Sequence, residues 1–223
     1  LEIMRKLMHR GASGADPETG DGAGLLFALP DAFFRNAVPD KLPAPGRYGV
    51  AMMFGGEGDE KLIEQIVLSE NSAILHWRKV PADVDKIGRL ARESCPCIRQ
   101  LFLDGRVFAD QSNFERTLYV IRRRIEKATR DCYVVSCSSR SIVYKGLLHA
   151  SQIREFYPDL QDESLVSPMV MVHQRYSTNT FPTWQLAQPF RYLAHNGEIN
   201  TVRGNLNQLQ SREASLKSEL LGD

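Results

Sequence analysis

Two polar clusters, at residues 173–184 and 191–200, contain the side chains best suited to chemistry, and both lie at or just beyond short apolar runs. Arg175 lies in the first cluster, and its planar guanidinium can hold a carboxylate through two parallel hydrogen bonds. Asn196 and Gly197 lie in the second, where an amide donor stands beside a backbone N–H that glycine leaves unobstructed. Together these groups suit an oxyanion hole next to a carboxylate-binding site.

Each of these residues also has a plainer interpretation. A surface ion pair would explain Arg175, and a hairpin turn is the commonest use of the dipeptide Asn196-Gly197. Taken one at a time, the residues favour the plain interpretations, and only their combination points to a site.

A third cluster, at residues 9–24, is rich in glycine and acidic side chains, with five glycines between positions 11 and 24. Such a segment allows close approach of the backbone to a ligand or to another segment. It does not fit the phosphate-binding patterns, because no Lys-Ser or Lys-Thr follows a G-x4-G and position 25 is Leu where G-x-G-x-x-G requires Gly. It also fails the calcium-loop pattern, so a purely structural connection remains an equal alternative.

The cysteines and histidines do not have the spacing of a metal site. The four cysteines form C-P-C and C-x4-C pairs, which differ from zinc-ribbon spacing and from a small disulfide framework, so we expect a reducing compartment. The histidines at 9, 149, 173 and 195 are far apart in sequence. We therefore predict no metal ion.

Composition narrows the class of protein. The 223 residues are 43% hydrophobic, and 28 Lys and Arg balance 27 Asp and Glu. A chain of this length can bury a sizeable core, while a net charge of +1 does not fit a dedicated nucleic-acid-binding protein. No stretch approaches 18 consecutive apolar residues, so the sequence predicts no membrane partner. The balanced charge likewise predicts no nucleic-acid partner.

Hydrophobic periodicity predicts a mixed α and β protein. We expect helices at 1–8, 59–68, 113–129, 152–157 and 201–221, strands at 48–54, 73–80, 169–173 and 190–194, and a hairpin formed by 133–135 and 142–144. Because Leu1 opens inside a predicted helix and the last helix runs nearly to the end, we expect a fragment, incomplete at both ends.

Three longer motifs carry a family resemblance. They are H-R-G-A-S-G-A-D-P-E-T-G-D-G-A-G, H-Q-R-Y-S-T-N-T-F-P-T-W and A-Q-P-F-R-Y-L-A-H-N-G-E-I-N-T. In this order they closely resemble the N-terminal glutamine amidotransferase domain of glutamate synthase large subunits. The resemblance covers nearly the whole chain and implies one partial domain, 1–223, of α+β class, with the four-layer αββα sandwich of N-terminal-nucleophile hydrolases.

The same resemblance implies an activity and roles for particular residues. The domain would hydrolyse L-glutamine to glutamate and ammonia, which the full protein transfers to 2-oxoglutarate. Arg175 would bind the α-carboxylate of glutamine, Thr178 and Asn179 would line the pocket, and Asn196 and Gly197 would form the oxyanion hole. Arg10 would contribute to the pocket wall.

The family's nucleophile is a cysteine at the mature N-terminus, whose α-amino group acts as the base. None of the four cysteines of this chain has a matching sequence context, so we expect the nucleophile before Leu1 and a fragment that is inactive without it. The alternative is a non-catalytic glutamine-binding or regulatory module that has lost its nucleophile.

For the whole protein, the resemblance implies FMN and an iron–sulfur cluster in other regions and no cofactor in this domain. The implied partners are L-glutamine, the remaining domains of the large subunit, and either a small electron-supplying subunit or ferredoxin. The implied location is the cytoplasm of a bacterium or the plastid stroma of a photosynthetic eukaryote.

Overall fold

The computed structural model describes residues 2–6, 16–174, 181–190 and 202–220, and within them it shows two antiparallel sheets with helices. The strands are β1 Ala23–Ala28, β2 Tyr48–Phe54, β3 Ile74–Lys79, β4 Ile98–Asp104, β5 Tyr133–Ser138, β6 Ser141–Gly146 and β7 Val170–Gln174. The helices are α1 Glu2–Lys6, α2 Asp31–Ala37, α3 Glu60–Ser69, α4 Arg89–Glu93, α5 Gln111–Ala128, α6 Ile153–Phe156 and α7 Val202–Glu213.

One sheet has four strands in the order β3-β4-β2-β5 and is covered on one face by α3 and α5. Side chains alternate along β2, as the pleat requires: Ala51 and Met53 join the core under the helices, and Val50 and Met52 join a second core on the opposite face. Helix α5 contributes an apolar stripe of Phe114, Leu118, Ile121 and Ile125.

The other sheet has three strands in the order β6-β1-β7, so β1 is central. Ala23 pairs with Gly146 of β6 and with Gln174 of β7, which brings these three strand ends side by side. Phe27 of β1 stacks on Tyr144 of β6, with ring centroids 5.6 Å apart, and both belong to the second core. That core lies between the two sheets.

The predicted mixed α and β class is confirmed, with two antiparallel sheets. The described ranges form three layers, namely the helices α3 and α5, the four-stranded sheet and the three-stranded sheet, with α1 beside β7. The four-layer sandwich therefore stays a prediction.

Most predicted elements agree with the structure to within two residues. The strand at 48–54 is β2, the helix at 113–129 is α5, and the strand at 169–173 is β7. Helix α5 begins earlier than predicted because Asp110 accepts a hydrogen bond from the amide of Asn113 and caps the helix. The described part of the helix predicted at 1–8 is α1, Glu2–Lys6, while the strand predicted at 190–194 lies outside the described residues except for Phe190.

The last predicted helix is too long, since α7 ends at Glu213 instead of 221. Beyond it the amides of Ser215 and Leu216 bond to carbonyls three residues back, which is a turn rather than a continuing α-helix. The leucines of the predicted stripe at 206, 209, 216 and 220 are all exposed, so no core contact supports the longer helix.

The predicted hairpin is wrong. Strands β5 and β6 are adjacent in sequence, but β5 pairs with β2 in the four-stranded sheet and β6 pairs with β1 in the other. The amide of Val143 donates to Ser136 Oγ, and the carbonyl of Arg140 accepts from the amide of Leu29. The Ser136 hydroxyl and the Leu29 amide thus take the place of hairpin partners while the chain crosses from one sheet to the other.

The crossing is stabilised by the buried carboxylate of Glu115 on α5. Ser138 Oγ donates to this carboxylate at 3.0 Å, and both the amide and the hydroxyl of Ser139 donate to it as well. Glu115 therefore ties the crossing to the helix that covers the four-stranded sheet.

We predict that Glu115→Ala will lower the free energy of unfolding by about 1–3 kcal/mol, because it leaves the buried Ser139 amide without its carboxylate acceptor. Glu115→Gln keeps an acceptor oxygen and should lose clearly less. Urea denaturation followed by circular dichroism measures both variants. Equal losses for the two would show that hydrogen bonding at the crossing is not what Glu115 contributes.

Candidate functional site

The described parts of all three sequence motifs meet at the Ala23 end of β1. The first motif leads into β1 through Gly22, the second begins at the end of β7, and the junction of the second and third passes over this end of the sheet. The six residues predicted to do chemistry, Arg10, Arg175, Thr178, Asn179, Asn196 and Gly197, lie outside the described residues. The structure does describe residues that flank them in sequence, namely Gln174 and residues 181–190.

Gln174 is the last residue of β7 and directly precedes Arg175. It pairs with Ala23, and its side-chain oxygen is buried with no hydrogen-bond partner in the described part of the chain. Arg175 thus follows, by one peptide bond, a position in register with the end of the glycine-rich motif.

Residues 181–190, which we call the strap, join the two stretches that contain Arg175 and Asn196. Phe181 at its start is 92% exposed, whereas Trp184 is buried. The Trp184 indole donates to the carbonyl of Ala91 at 3.2 Å, and its ring lies so close to Gly146 that an added Cβ would be 2.4 Å away. The strap is therefore packed against the end of β6.

Gly22 and Gly24 let the strap approach β1. A Cβ added at Gly24 would lie 2.5 Å from the carbonyl oxygen of Gln188 and 2.8 Å from Pro189, and Ala187 lies against Gly22. Glycine at position 24 is required here by close backbone approach, because no side chain fits between the strand and the strap.

Lys145 holds the strap from the neighbouring strand. It pairs with Gly24 in the sheet, and its Nζ donates to the carbonyl of Gln185 at 2.7 Å. The same nitrogen lies 4.7 Å from the ring centroid of Phe190 and 5.0 Å from that of Tyr133. Burial, with a smaller contribution from Arg122, lowers the pKa of Lys145 to about 7.

Sequence reasoning missed Lys145. The available signal was a single lysine in the apolar run at 142–146. A lysine is almost never fully buried unless it has a partner, so a lysine in a buried strand indicates a specific contact.

Asp16 in the glycine-rich motif has a structural role. Its carboxylate accepts hydrogen bonds from the Thr19 hydroxyl at 2.6 Å and from the Leu90 amide at 3.0 Å, and Thr19 Oγ1 accepts from the amide of Ala91. The Thr19 hydroxyl, followed by the Leu90 amide, holds the pKa of Asp16 below its ordinary value. For this half of the motif, the structural alternative agrees with the contacts.

The cysteines of the chain do not resemble activated nucleophiles. Burial, followed by the nearby Cys97, raises the pKa of Cys95 to about 11, and burial raises that of Cys132 to about 11. Burial also raises the pKa of Cys97, and Cys137 is buried. A nucleophilic thiol needs the opposite shift, so these thiols fit structural positions.

Within the described ranges, no group of three or more His, Cys, Asp or Glu is arranged to hold a metal ion. Among those same residues, none of the helices combines the length and the apolar character needed to cross a membrane.

We predict that Gly24→Ala will displace the strap and lower the free energy of unfolding by about 1–3 kcal/mol, because the new methyl group overlaps the Gln188 carbonyl. Thermal unfolding and the emission of Trp184 report the two effects. Gly204→Ala on α7 is the control, since a Cβ there meets nothing within 4 Å and should be neutral or slightly stabilising. Unchanged stability and emission in Gly24→Ala would contradict the packing described here.

The chain has clear relatives. It is 48% identical over 235 residues to the glutamate synthase [NADPH] large chain of Bacillus subtilis (strain 168), an alignment that covers 100% of this chain and 16% of that protein. The corresponding protein of Azospirillum brasilense is 44% identical over 236 residues, with coverage of 100% and 16%. Ferredoxin-dependent glutamate synthase 1 of Arabidopsis thaliana is 44% identical over 225 residues, with coverage of 94% and 14%.

The chain thus spans between 14% and 16% of the length of these relatives. The sequence profile of the class II glutamine amidotransferases matches residues 1–223. The resemblance of the three motifs is confirmed, and the chain belongs to the class II glutamine amidotransferases.

Proposed function

We propose that this chain is the glutaminase domain of a glutamate synthase large chain. It hydrolyses L-glutamine to L-glutamate and ammonia, and the whole protein combines the ammonia with 2-oxoglutarate and reduces the product to a second glutamate. The observation that carries the proposal is the convergence of the described parts of the three motif segments on the Ala23 end of one sheet. Nothing on the described residues favours the non-catalytic module.

The reaction needs three functions at one place. A thiolate attacks the side-chain amide carbon of glutamine, the carbonyl oxygen becomes an oxyanion, and the C–N bond breaks as the nitrogen gains a proton and leaves as ammonia. Water then cleaves the thioester to give glutamate and restore the thiol. Donors to the oxyanion lower the barrier to forming and breaking the tetrahedral intermediate.

We assign Asn196 and Gly197 to the oxyanion, through the side-chain NH₂ and the backbone N–H. Arg175 holds the α-carboxylate of the substrate through its planar fork, and Thr178 and Asn179 line the pocket beside it. Arg10 forms part of the pocket wall. The position of Gln174 at the end of β7 supports the placement of Arg175, since the two are consecutive.

The nucleophile is a cysteine at the mature N-terminus of the natural protein, with its α-amino group as the base. The raised pKa values of Cys95, Cys97 and Cys132 support a nucleophile outside residues 1–223. An N-terminal amine is a suitable base because its ordinary pKa lies near 8, close to working pH.

The remaining proposals concern the larger assembly. The two sheets form the inner layers of an αββα sandwich, supported by the helix, sheet and sheet layers already described. FMN and an iron–sulfur cluster belong to other domains of the whole protein, and no step proposed here passes through them. The names of the relatives include both NADPH and ferredoxin-dependent enzymes, and both bacterial and chloroplastic proteins, so electron donor and compartment follow the source of the chain.

We predict that Arg175→Lys in the full-length protein will mainly raise the KM for glutamine, because a point charge replaces a two-point fork that grips the substrate in ground and transition states alike. Steady-state release of glutamate measures it. Arg203→Lys on the exposed α7 is the matched control and should leave KM unchanged. A collapsed kcat with unchanged KM would assign Arg175 a different role.

The test of the oxyanion assignment is Asn196→Asp in the full-length protein. The carboxylate has nearly the shape of the amide and suits the same turn, but it places negative charge where the oxyanion forms. We predict a fall in kcat for glutamine hydrolysis of about 10²–10³-fold or more, with little change in melting temperature. A folded variant with near-normal kcat would leave Asn196 with the role of a turn residue only.

A further inference from the structure

The strap lies between the two stretches to which the proposed function assigns substrate binding and oxyanion stabilisation. It begins one residue after the stretch 175–180 and ends at Phe190, one residue before the stretch 191–200. This ten-residue connection is therefore the shortest covalent path between the stretches that contain Arg175 and Asn196.

Lys145 contacts the strap at two separate points. Its Nζ donates to the Gln185 carbonyl at 2.7 Å, near the middle of the strap, and lies 4.7 Å from the ring centroid of Phe190 at the end. Gly24 is the partner of Lys145 in the sheet, and because it has no side chain the backbone of Gln188 approaches it closely between these two points. One row across β6 and β1 thus contacts the second half of the strap.

The lysine is costly at this position. Its side chain is fully buried, with a relative exposure of 0%, and desolvation of an ammonium in such a place is unfavourable. A methionine of similar length would fill the same space without that cost. The amine differs from such a methionine in one favourable respect, the hydrogen bond that it donates to the strap.

We propose that Lys145 is a positioning residue of the glutaminase: by binding the Gln185 carbonyl and the Phe190 ring, it fixes the strap and so sets where the Asn196 stretch stands relative to the Arg175 stretch. The inference rests on the proposed function for its catalytic consequence. The contact with Phe190, the last described residue before the stretch containing Asn196, assigns the effect mainly to the oxyanion side.

Within the part of the chain that the structure describes, the ionisable groups near Lys145 belong to three other elements. Tyr133 of β5 faces the amine, Arg122 of α5 acts on it over a longer range and is paired with Glu126, and His173 of β7 shares its face of the sheet across Gly24. Of these, Arg122 is the one that adds to the lowering of the Lys145 pKa by burial.

The experiment compares Lys145→Met with Val143→Ala in the full-length protein. Val143 is also fully buried in β6 and on the same side of the strand, but it has no contact with the strap among the interactions described above. For Lys145→Met we expect kcat for glutamine hydrolysis to fall about tenfold to a hundredfold and KM to change by less than about threefold. For Val143→Ala we expect lower thermal stability with unchanged kcat.

Stability separates positioning from general destabilisation. Lys145→Met should melt at the same temperature as the wild type or higher, because an apolar side chain replaces a desolvated amine. The difference should shrink as pH rises from about 7 to 10.5, since the unfolded wild type releases its Lys145 proton across that window while the folded form is already neutral.

Hydrogen exchange tests the anchoring without any assay of activity. The amides of Leu186 and Ala187 both donate to the carbonyl of Thr183 inside the strap, and we expect them to exchange faster in Lys145→Met but not in Val143→Ala. Lys145→Gln, which keeps an N–H donor, should fall between Lys145→Met and the wild type in exchange and in kcat.

The inference is overturned if Lys145→Met has wild-type kcat, if its strap amides exchange at the wild-type rate, or if Val143→Ala loses kcat to the same extent. Absence of glutamine hydrolysis in the wild-type protein would instead refute the proposed function. In that case the exchange rates alone would still decide whether Lys145 anchors the strap.

Discussion

A buried hydrogen-bond network centred on Tyr144 joins the two sheets and so sets the geometry of everything built on them. The Tyr144 hydroxyl accepts from Gln100 Nε2 of β4 at 2.8 Å and donates to Asp159 at 2.8 Å. Asp159 in turn is held by both terminal nitrogens of Arg78 on β3. Burial, with Asp159 beside it, raises the pKa of Tyr144 well above its ordinary value, so the hydroxyl keeps its proton and remains a donor.

Lys145, the next residue along β6, connects this network to the candidate site. Successive side chains of a strand point to opposite faces, so Tyr144 reaches the network and Lys145 reaches the strap. A shift of β6 by one residue would exchange these two side chains and lose both sets of contacts. The register Gly24 to Lys145 and Leu25 to Tyr144 therefore links the packing of the sheets to the position of the strap.

This arrangement suits a domain whose proposed catalytic groups come from distant parts of the chain. Glutamine hydrolysis needs a group that binds the substrate carboxylate, an oxyanion hole and a thiol in a fixed relative position. Small displacements of such groups lower the rate strongly. The two stretches to which the proposal assigns the first two functions follow in sequence a buried strand end and a strap that contacts Gly146, Gly24 and Lys145. A paired strand end and a packed connection are structural means by which a fold can hold such a site.

Local sequence patterns predicted those helices and strands whose apolar residues recur with a regular helical or strand spacing. The apolar stripe of α5 and the apolar run of β2 are signals of this kind, because helical and strand periodicities are visible in a short window. Strand β1 was not predicted, because the glycines before and within the short apolar run at 23–28 are typical of a loop that continues into a turn. The family, and with it the six proposed site residues, came from whole motifs and not from periodicity.

The tertiary structure decided what depends on partners remote in sequence. It placed β5 and β6 in different sheets although a tight turn joins them: the Ser136 hydroxyl accepts from the Val143 amide, and Glu115 holds the turn through the Ser138 hydroxyl. It brought Lys145 to the Gln185 carbonyl, 40 residues away along the chain, and Asp16 to the Leu90 amide, 74 residues away. A polar side chain in the sequence states its hydrogen-bonding capacity, and only the fold determines which distant group satisfies it once water is excluded.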